Sequence, residues 1–281
     1  MVRHSKIMCM TCDVEIKQKK DLAQLQRILE IFDHFRLKGT LFLMLSSNTY
    51  HIYEDSELLL NRYEEQEFGL HIHWGQSLKE ETIQEKCLKL LPLNVVKNEM
   101  QDSLRCCRKL GFKPTSFRGG GLSQTTLVLR LIKECGFKVD SSVAPNLDER
   151  NWHQSHFNVP YRSWYFPSKK GYAFPAFSKN EQIGLLEVPV TRLIPSFRTW
   201  YPYTLTPTNP LFKLILHEWL FKSRWEKPLV VTPVIHSWGG GGKDFNSFLL
   251  TLKAGIEYAM KLGFHSMTMS DLYEELMLDG F

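Results

Sequence analysis

The 281-residue sequence has no hydrophobic run of membrane-span length, so no membrane-spanning helix is expected. Its N-terminus, MVRHSKIMCMTCDVE, has no long apolar stretch leading to a small-residue cleavage site, so a cytoplasmic chain is expected. There is no GxSxG, which removes the nucleophile-elbow hydrolases. There is also no GxGxxG. The GGGGKD at 239–244 fails as a phosphate loop, because Ser237 stands where its first glycine belongs and Asp244 follows Lys243. Cys9 and Cys12 form a CxxC with no second CxxC to complete a zinc ribbon. They are expected to be core cysteines, and the six cysteines together fit a reducing compartment. Strong charge of one sign is missing too. The formal net charge is +5, and the densest basic run, KQKK at 17–20, is short and leads into a helix. It reads as a solvated helix start, and nucleic acid is not an expected partner.

What is present is an alternation of apolar strands and amphipathic helices. KIMCMTCDV (6–14), TLFLMLS (40–46), EFGLHIH (67–73), TSFRG (115–119), FKVDSS (137–142), LLEVPV (185–190) and PLVVTPVIH (228–236) read as strands. Helices are expected over 22–35, 55–65, 79–91, 94–109, 123–135, 209–224 and 244–262. A closing strand, FHSMTM, and a helix starting at Ser270 end the chain. Repeated β–α units predict a parallel sheet, open or closed into a barrel, in one domain spanning 1–281. Residues 145–185 interrupt the pattern with a stretch rich in Asn, Pro, Ser and aromatics.

In parallel α/β folds the reactive groups gather at the carboxyl ends of strands. Asp13 and Glu15, His71 and His73, Arg118, Asp140 and His236 all fall there. The two acids can share one site or be a solvated loop. His71 and His73, two apart on a strand, project to the same side and can share a metal with a carboxylate, or be a chance HxH. Arg118 opens FRGGG, where consecutive glycines permit close backbone approach. His236 ends an apolar strand before a glycine loop, poised toward an open pocket. The other histidines have no comparable company, with His153 and His156 set apart by their place in the 145–185 excursion.

In chain order these pieces resemble the motifs of the polysaccharide deacetylase family (carbohydrate esterase family 4). TCDVE at 11–15 resembles its first motif, and GLH at 69–71 its second. FRGGG resembles the third, VDSSVAP at 139–145 the fourth, VVTPVIH the fifth, and GFHSMTMSDLYEEL its closing strand and helix. The resemblance departs from the family in three places. Gly75 stands where the second metal histidine usually lies, leaving His73 as the available partner. Glu15 lies one residue beyond the usual adjacent Asp. The tryptophan often found after the fourth-motif Asp is missing, with Ala144 near its place.

The resemblance implies a distorted (β/α) barrel of about seven parallel strands and hydrolysis of an N-acetyl group on a sugar or glycan precursor. It implies a divalent metal, zinc foremost, held by Glu15, His71 and His73. Asp13 would be the base, although Asp13 and Glu15 could exchange roles. Arg118 would orient Asp13, His236 would act as acid, and Asp140 would tune His236. Gly119, Gly120, Trp74 and Trp238 are assigned to substrate contact.

The expected substrate is nucleotide-linked or lipid-linked, from a cytosolic step of polysaccharide synthesis. The aromatics of the excursion, Trp152, Tyr161, Trp164, Tyr165, Phe166 and Tyr172, would either stack on sugar or form a lid packed on the core. The helix in 210–225 would pack on the core or in a homo-oligomer, or touch a membrane surface. Two other functions share these residues: hydrolysis of another amide, and carbohydrate binding without catalysis.

Overall fold

The computed structural model describes residues 5–54, 63–75, 91–145, 148–149, 154–156, 159–192, 205–222, 228–239 and 244–280. The expected helix at 79–91, most of that at 55–65, and Trp152 and His153 lie outside these residues. Near the second of these, a short helix at Tyr50–Glu54 precedes them and a turn at 63–66 follows.

The strands that carry the site are β1 (Lys6–Met8), β2 (Met10–Val14), β3 (Gly39–Met44), β4 (Glu67–Ile72), β5 (Ser116–Gly119), β6 (Val139–Asp140), β7 (Leu186–Glu187), β8 (Leu229–Val231), β9 (Val234–His236) and β10 (His265–Ser266). A seven-stranded sheet runs β7-β6-β5-β4-β3-β2-β9, and a three-stranded one runs β8-β1-β10. Every pairing in both is parallel. The two sheets are the upper and lower parts of one curled wall. Cys9 N donates to Val231 O (2.9 Å) and Thr11 N to Pro233 O (3.0 Å), across the breaks in both chains.

The break in PLVVTPVIH has a local cause, since Pro233 has no N–H to continue the ladder. On the far side, β7 meets β9 through an irregular seam. Thr191 N donates to Thr232 O (3.2 Å) and Thr232 N to Thr191 Oγ1 (2.8 Å). The result is a distorted β/α barrel, as expected, closed by loop contacts along this seam.

Strand alternation divides the side chains. Cys12, Val14, Leu41, Leu43, Leu70, Ile72 and Phe117 point outward into the core formed with the helices. Those helices include α1 (Lys19–His34), α2 (Leu93–Lys109), α3 (Thr126–Glu134), α4 (Phe212–Lys222) and α5 (Phe245–Lys261). On α4, Phe212, Ile215, Leu216 and Trp219 are buried, so this helix packs on the core, while Leu214 and Phe221 stay exposed. Cys9 and Cys12 are fully buried, and burial pushes both thiols well above their ordinary pKa, as core cysteines require.

Some aromatics of the excursion turn inward. Tyr165 and Phe166 are buried, the Trp164 indole donates to Pro228 O (3.0 Å), and the Tyr165 hydroxyl to Tyr172 O (2.6 Å). Among the described residues Tyr161, Trp164 and Tyr172 are half-buried, and Phe174 and Phe177 of the same stretch are exposed. His156 accepts from Ala144 N (3.0 Å) in the interior.

Residues facing the barrel axis include Thr40, Phe42, Glu67, Gly69, His71, Ser116 and Arg118, with Thr11 and Asp13. Glu67 holds the lower end. Its carboxylate accepts from Thr40 Oγ1 (2.9 Å), Thr115 Oγ1 (3.0 Å), Ser116 Oγ, and the N–H (3.0 Å) and hydroxyl of Ser270. Ser270 belongs to α6 (Met269–Leu278), whose N-cap is Thr268 rather than Ser270. The Thr268 hydroxyl accepts from Asp271 N (3.0 Å), leaving Ser270 to reach Glu67. Glu67→Ala should strand hydroxyl donors from β3, β5 and α6 together. We expect a loss of about 1–3 kcal/mol in folding stability, read as a lower urea midpoint at unchanged m-value.

Candidate metal centre

The register brings the expected residues to one rim. His236 pairs with Asp13, Met44 with His71, and His71 with Arg118. Because β4 is extended, His71 points inward while Ile72 and Trp74 point out. Trp74 was expected at the substrate. It is instead buried in the outer core against Phe117, with ring centroids 5.9 Å apart. His73 lies one residue past the end of β4 and shares the side of His71.

The two imidazoles meet Glu15. His71 Nε2 and His73 Nε2 are 3.0 Å apart. Glu15 Oε1 lies 3.0 Å from His73 Nε2 and 3.4 Å from His71 Nε2. Ligands about 2.0–2.1 Å from a tetrahedral ion stand about 3.3 Å from one another, so this triangle fits one face of a single ion's coordination shell. The tautomer agrees. His71 Nδ1 is 3.0 Å from the Arg118 carbonyl, which can only accept, so Nδ1 carries the hydrogen and Nε2 turns its lone pair inward. A lone pair facing a carboxylate and a second imidazole at this range could take a cation between them. Burial also pushes the His71 pKa down, against the pull of Asp13 and Glu15, and so favours the neutral, ligating imidazole. Burial would raise the Glu15 carboxyl, but the two imidazoles outweigh it and hold it well below the ordinary carboxylate range.

Two neighbours fix Glu15. Its N–H donates to Ser237 Oγ (3.2 Å), and the Trp238 indole donates to Oε2 (3.2 Å). Trp238 is about half exposed, and its ring lies 5.0 Å from that of His236, so it walls the site beside both residues. Gly120 makes room for His73. A Cβ there would come within 2.5–2.7 Å of the His73 ring. Gly119 is confined in the same way, since its Cβ would meet Ser123 O at 2.2 Å. The glycines therefore seat the histidine and the loop.

Arg118 is fully buried. Nη1 donates to Asp13 Oδ1 and to Thr11 Oγ1 (both 2.8 Å). Nη2 donates to Ser141 Oγ (2.8 Å), and Nε to Ser141 O (3.0 Å). The guanidinium also lies 4.3 Å from the centroid of Phe42. Burial alone would raise Asp13, but Arg118, then His71 and His236, outweigh it and lower its pKa.

Asp140 is not brought to His236. Among the described residues it accepts from Gln124 and Ser142, and it pairs in register with Glu187. Burial, then the neighbouring Asp140, push Glu187 well above the ordinary carboxyl range. Burial likewise raises Asp140. Through Ser142, whose Oγ accepts from Gly119 N (2.8 Å), Asp140 supports the glycine loop instead. Ala144, near the place of the family's tryptophan, is buried with Val190 and Val234. Ser237, Ser141, Gln124 and Glu187 were not singled out in the sequence. Each acts by holding another residue, which leaves no motif.

No family model and no curated protein sequence matches the chain. Solved structures do. A candidate glycoside hydrolase/deacetylase from Parabacteroides distasonis matches with a TM-score of 0.68 at 13% identity, over 98% of this chain and 72% of that one. A candidate polysaccharide deacetylase from Mycobacterium smegmatis matches with a TM-score of 0.59 at 13% identity, over 99% and 92%. The fold is the polysaccharide deacetylase fold. A pseudoenzyme of carbohydrate esterase family 4 from Bacillus anthracis is also similar, with a TM-score of 0.51 at 13% identity over 98% and 67%. A polysaccharide deacetylase fold thus occurs with and without activity, which makes the residues at the rim decisive.

Two outcomes test this site. Gly120→Ala should push the His73 ring aside with the barrel retained. We expect zinc affinity to fall by about tenfold or more in a chelator competition, with the unfolding temperature of the metal-free protein little changed. For Arg118 the sign of the pH dependence is the test. With the Asp13 pKa lowered, the pair's stabilisation is complete above about pH 3.9 and is lost as pH falls through the lower folded value. In Arg118→Met, burial dominates and Asp13 rises above its unfolded value. Its contribution is then complete below about pH 3.9 and is lost as pH rises through the raised folded value. We expect that variant to lose about 3–5 kcal/mol at pH 7 and to recover part of it towards pH 5, measured by urea unfolding across pH.

Proposed function

We propose that this protein is a metal-dependent hydrolase that removes an N-acetyl group from a sugar or glycan precursor. The observation that carries this reading is the convergence of Glu15 Oε1, His71 Nε2 and His73 Nε2 within 3.0–3.4 Å, beside Asp13 held by Arg118. The carbohydrate substrate is carried over from the solved deacetylases whose fold it shares. Glu15, His71 and His73 would hold a divalent ion, zinc foremost. Such an ion supplies Lewis acidity toward a carbonyl oxygen and acidifies a bound water.

The chain's own residues account for the remaining chemistry. Asp13, kept ionised by Arg118, accepts the proton of the attacking water. His236, across the β2–β9 register from Asp13, protonates the departing amine, which leaves poorly as an anion. Arg118 holds Asp13 in place and, through its carbonyl, the tautomer of His71. Ser237 and Trp238 hold Glu15.

This reading includes a cytosolic step of glycan synthesis on a nucleotide-linked or lipid-linked precursor. The described cysteines are free thiols, which suits a reducing compartment. Among the described residues no helix is long and apolar enough to cross a membrane. The similarity to a pseudoenzyme favours a second reading, carbohydrate binding without turnover, and the same assay separates the two.

Metal analysis should find about one divalent ion per chain. Chelation should abolish acetate release from N-acetyl sugars, and zinc should restore it. His236→Ala should lower kcat by about 10²–10⁴ while retaining the metal. Full metal occupancy with no acetate from any N-acetyl sugar would leave the non-catalytic reading.

A further inference from the structure

The chain turns sharply after β9, and the turn carries Trp238 back against the metal centre. Strand β9 ends at His236, opposite Asp13 of β2. Gly239 N then donates to His236 O (3.0 Å), and Gly239 takes the positive φ (85°) that suits a glycine at the end of a tight turn. The parallel pairing outlasts the strands. Ser237 N donates to Asp13 O (3.0 Å), and Glu15 N to Ser237 Oγ (3.2 Å). Counting on by two from the Asp13–His236 pair sets Trp238 beside Glu15, on the side that His236 faces.

The two oxygens of Glu15 are used differently as a result. Oε1 faces the imidazoles, 3.0 Å from His73 Nε2 and 3.4 Å from His71 Nε2. Oε2 accepts from the Trp238 indole (3.2 Å), and among the described residues it has no other donor. An indole N–H can only donate. A hydrogen bond to an ionised acceptor is roughly twice as strong as one between neutral groups, so the indole is well suited to keep Oε2 on its own side.

That division matters for what a metal ion could still accept. Two imidazoles and one carboxylate oxygen leave a tetrahedral ion one open position, as a catalytic zinc site requires. Two imidazoles and both oxygens of the same carboxylate would fill all four. The rotation of the Glu15 carboxylate therefore decides whether the site is open or closed.

We infer that Trp238 is a positioning residue that keeps Glu15 a one-oxygen ligand and so keeps a position open at the metal centre. The inference rests on the metal-dependent reading of this site. It adds the residue that sets the coordination of Glu15, through its N–H and not through its ring. A tryptophan that only offered its ring to a substrate would act without the N–H, and that difference is testable.

Trp238→Phe keeps an aromatic ring and removes the N–H. Trp238 is about half exposed, so the variant should match the unaltered protein in unfolding temperature without metal. X-ray absorption at the zinc edge, on both proteins loaded with zinc, reads how many Glu15 oxygens bind. We expect one in the unaltered protein and two in the variant. Zinc affinity in a chelator competition should be equal or up to about tenfold tighter, while kcat for acetate release falls by about tenfold or more. Trp238→Leu, which also lacks the ring, should give the same coordination as Trp238→Phe. The same carboxylate coordination in the unaltered protein and Trp238→Phe would overturn the inference, as would a change seen only in Trp238→Leu. If the unaltered protein binds zinc and releases acetate while Trp238→Phe leaves the coordination unchanged, the inference fails and the deacetylase stands. If the coordination changes as expected and neither protein releases acetate, the deacetylase fails and the inference stands. An unaltered protein that binds no zinc overturns both.

Discussion

The buried guanidinium of Arg118 is the constraint on which the rest of the rim depends. A cation with no exposure to water must find its donors' partners inside the protein. Arg118 finds them on β2, at Asp13 and Thr11, and just past β6, at Ser141, with Phe42 of β3 against its face. Its own carbonyl takes the Nδ1 hydrogen of His71 on β4. One residue therefore holds a carboxylate ionised, fixes the tautomer of an imidazole and ties together four neighbouring strands. The stability of the upper barrel and the readiness of the site are, to that extent, the same set of interactions.

A second support stands behind it. Asp140 and Glu187 lie side by side on β6 and β7, and Asp140 reaches the glycine loop through Ser142 and Gly119. The loop in turn leaves the space that the His73 ring occupies. The metal centre is thus held on two sides, by Arg118 beneath His71 and by the glycines against His73. At the opposite end of the barrel Glu67 gathers hydroxyls from β3, β5 and α6, so that each end is closed by one charged residue satisfied by many partners.

Much of this was legible in the sequence. Apolar strand runs and helical spacing gave the parallel barrel and most of its elements. Asp13, Glu15, His71, His73, Arg118 and His236 stood out because they end apolar strands. Three expectations did not hold. Trp74 follows the histidines in sequence, but the two-residue alternation of an extended chain sends it into the outer core. Asp140 lies at a strand end like the others, yet its neighbours across the sheet are Phe117 and Glu187 rather than His236. PLVVTPVIH looked like one strand, and the missing N–H of Pro233 divides it. In each case the decisive fact was a neighbour far away in the chain or the direction of one side chain.

The HxH of β4 marks the boundary between what each level decides. By itself the sequence determined that His71 and His73 lie on one side of an extended chain, because that follows from a two-residue backbone repeat. Whether they share an ion depended on a carboxylate 56 residues before His71 and on the bare backbone of Gly120, whose lack of a Cβ leaves room for the ring of His73. Only the tertiary structure could bring those groups within 3.4 Å, because their distances are set by strand register and by the packing of a loop from another strand.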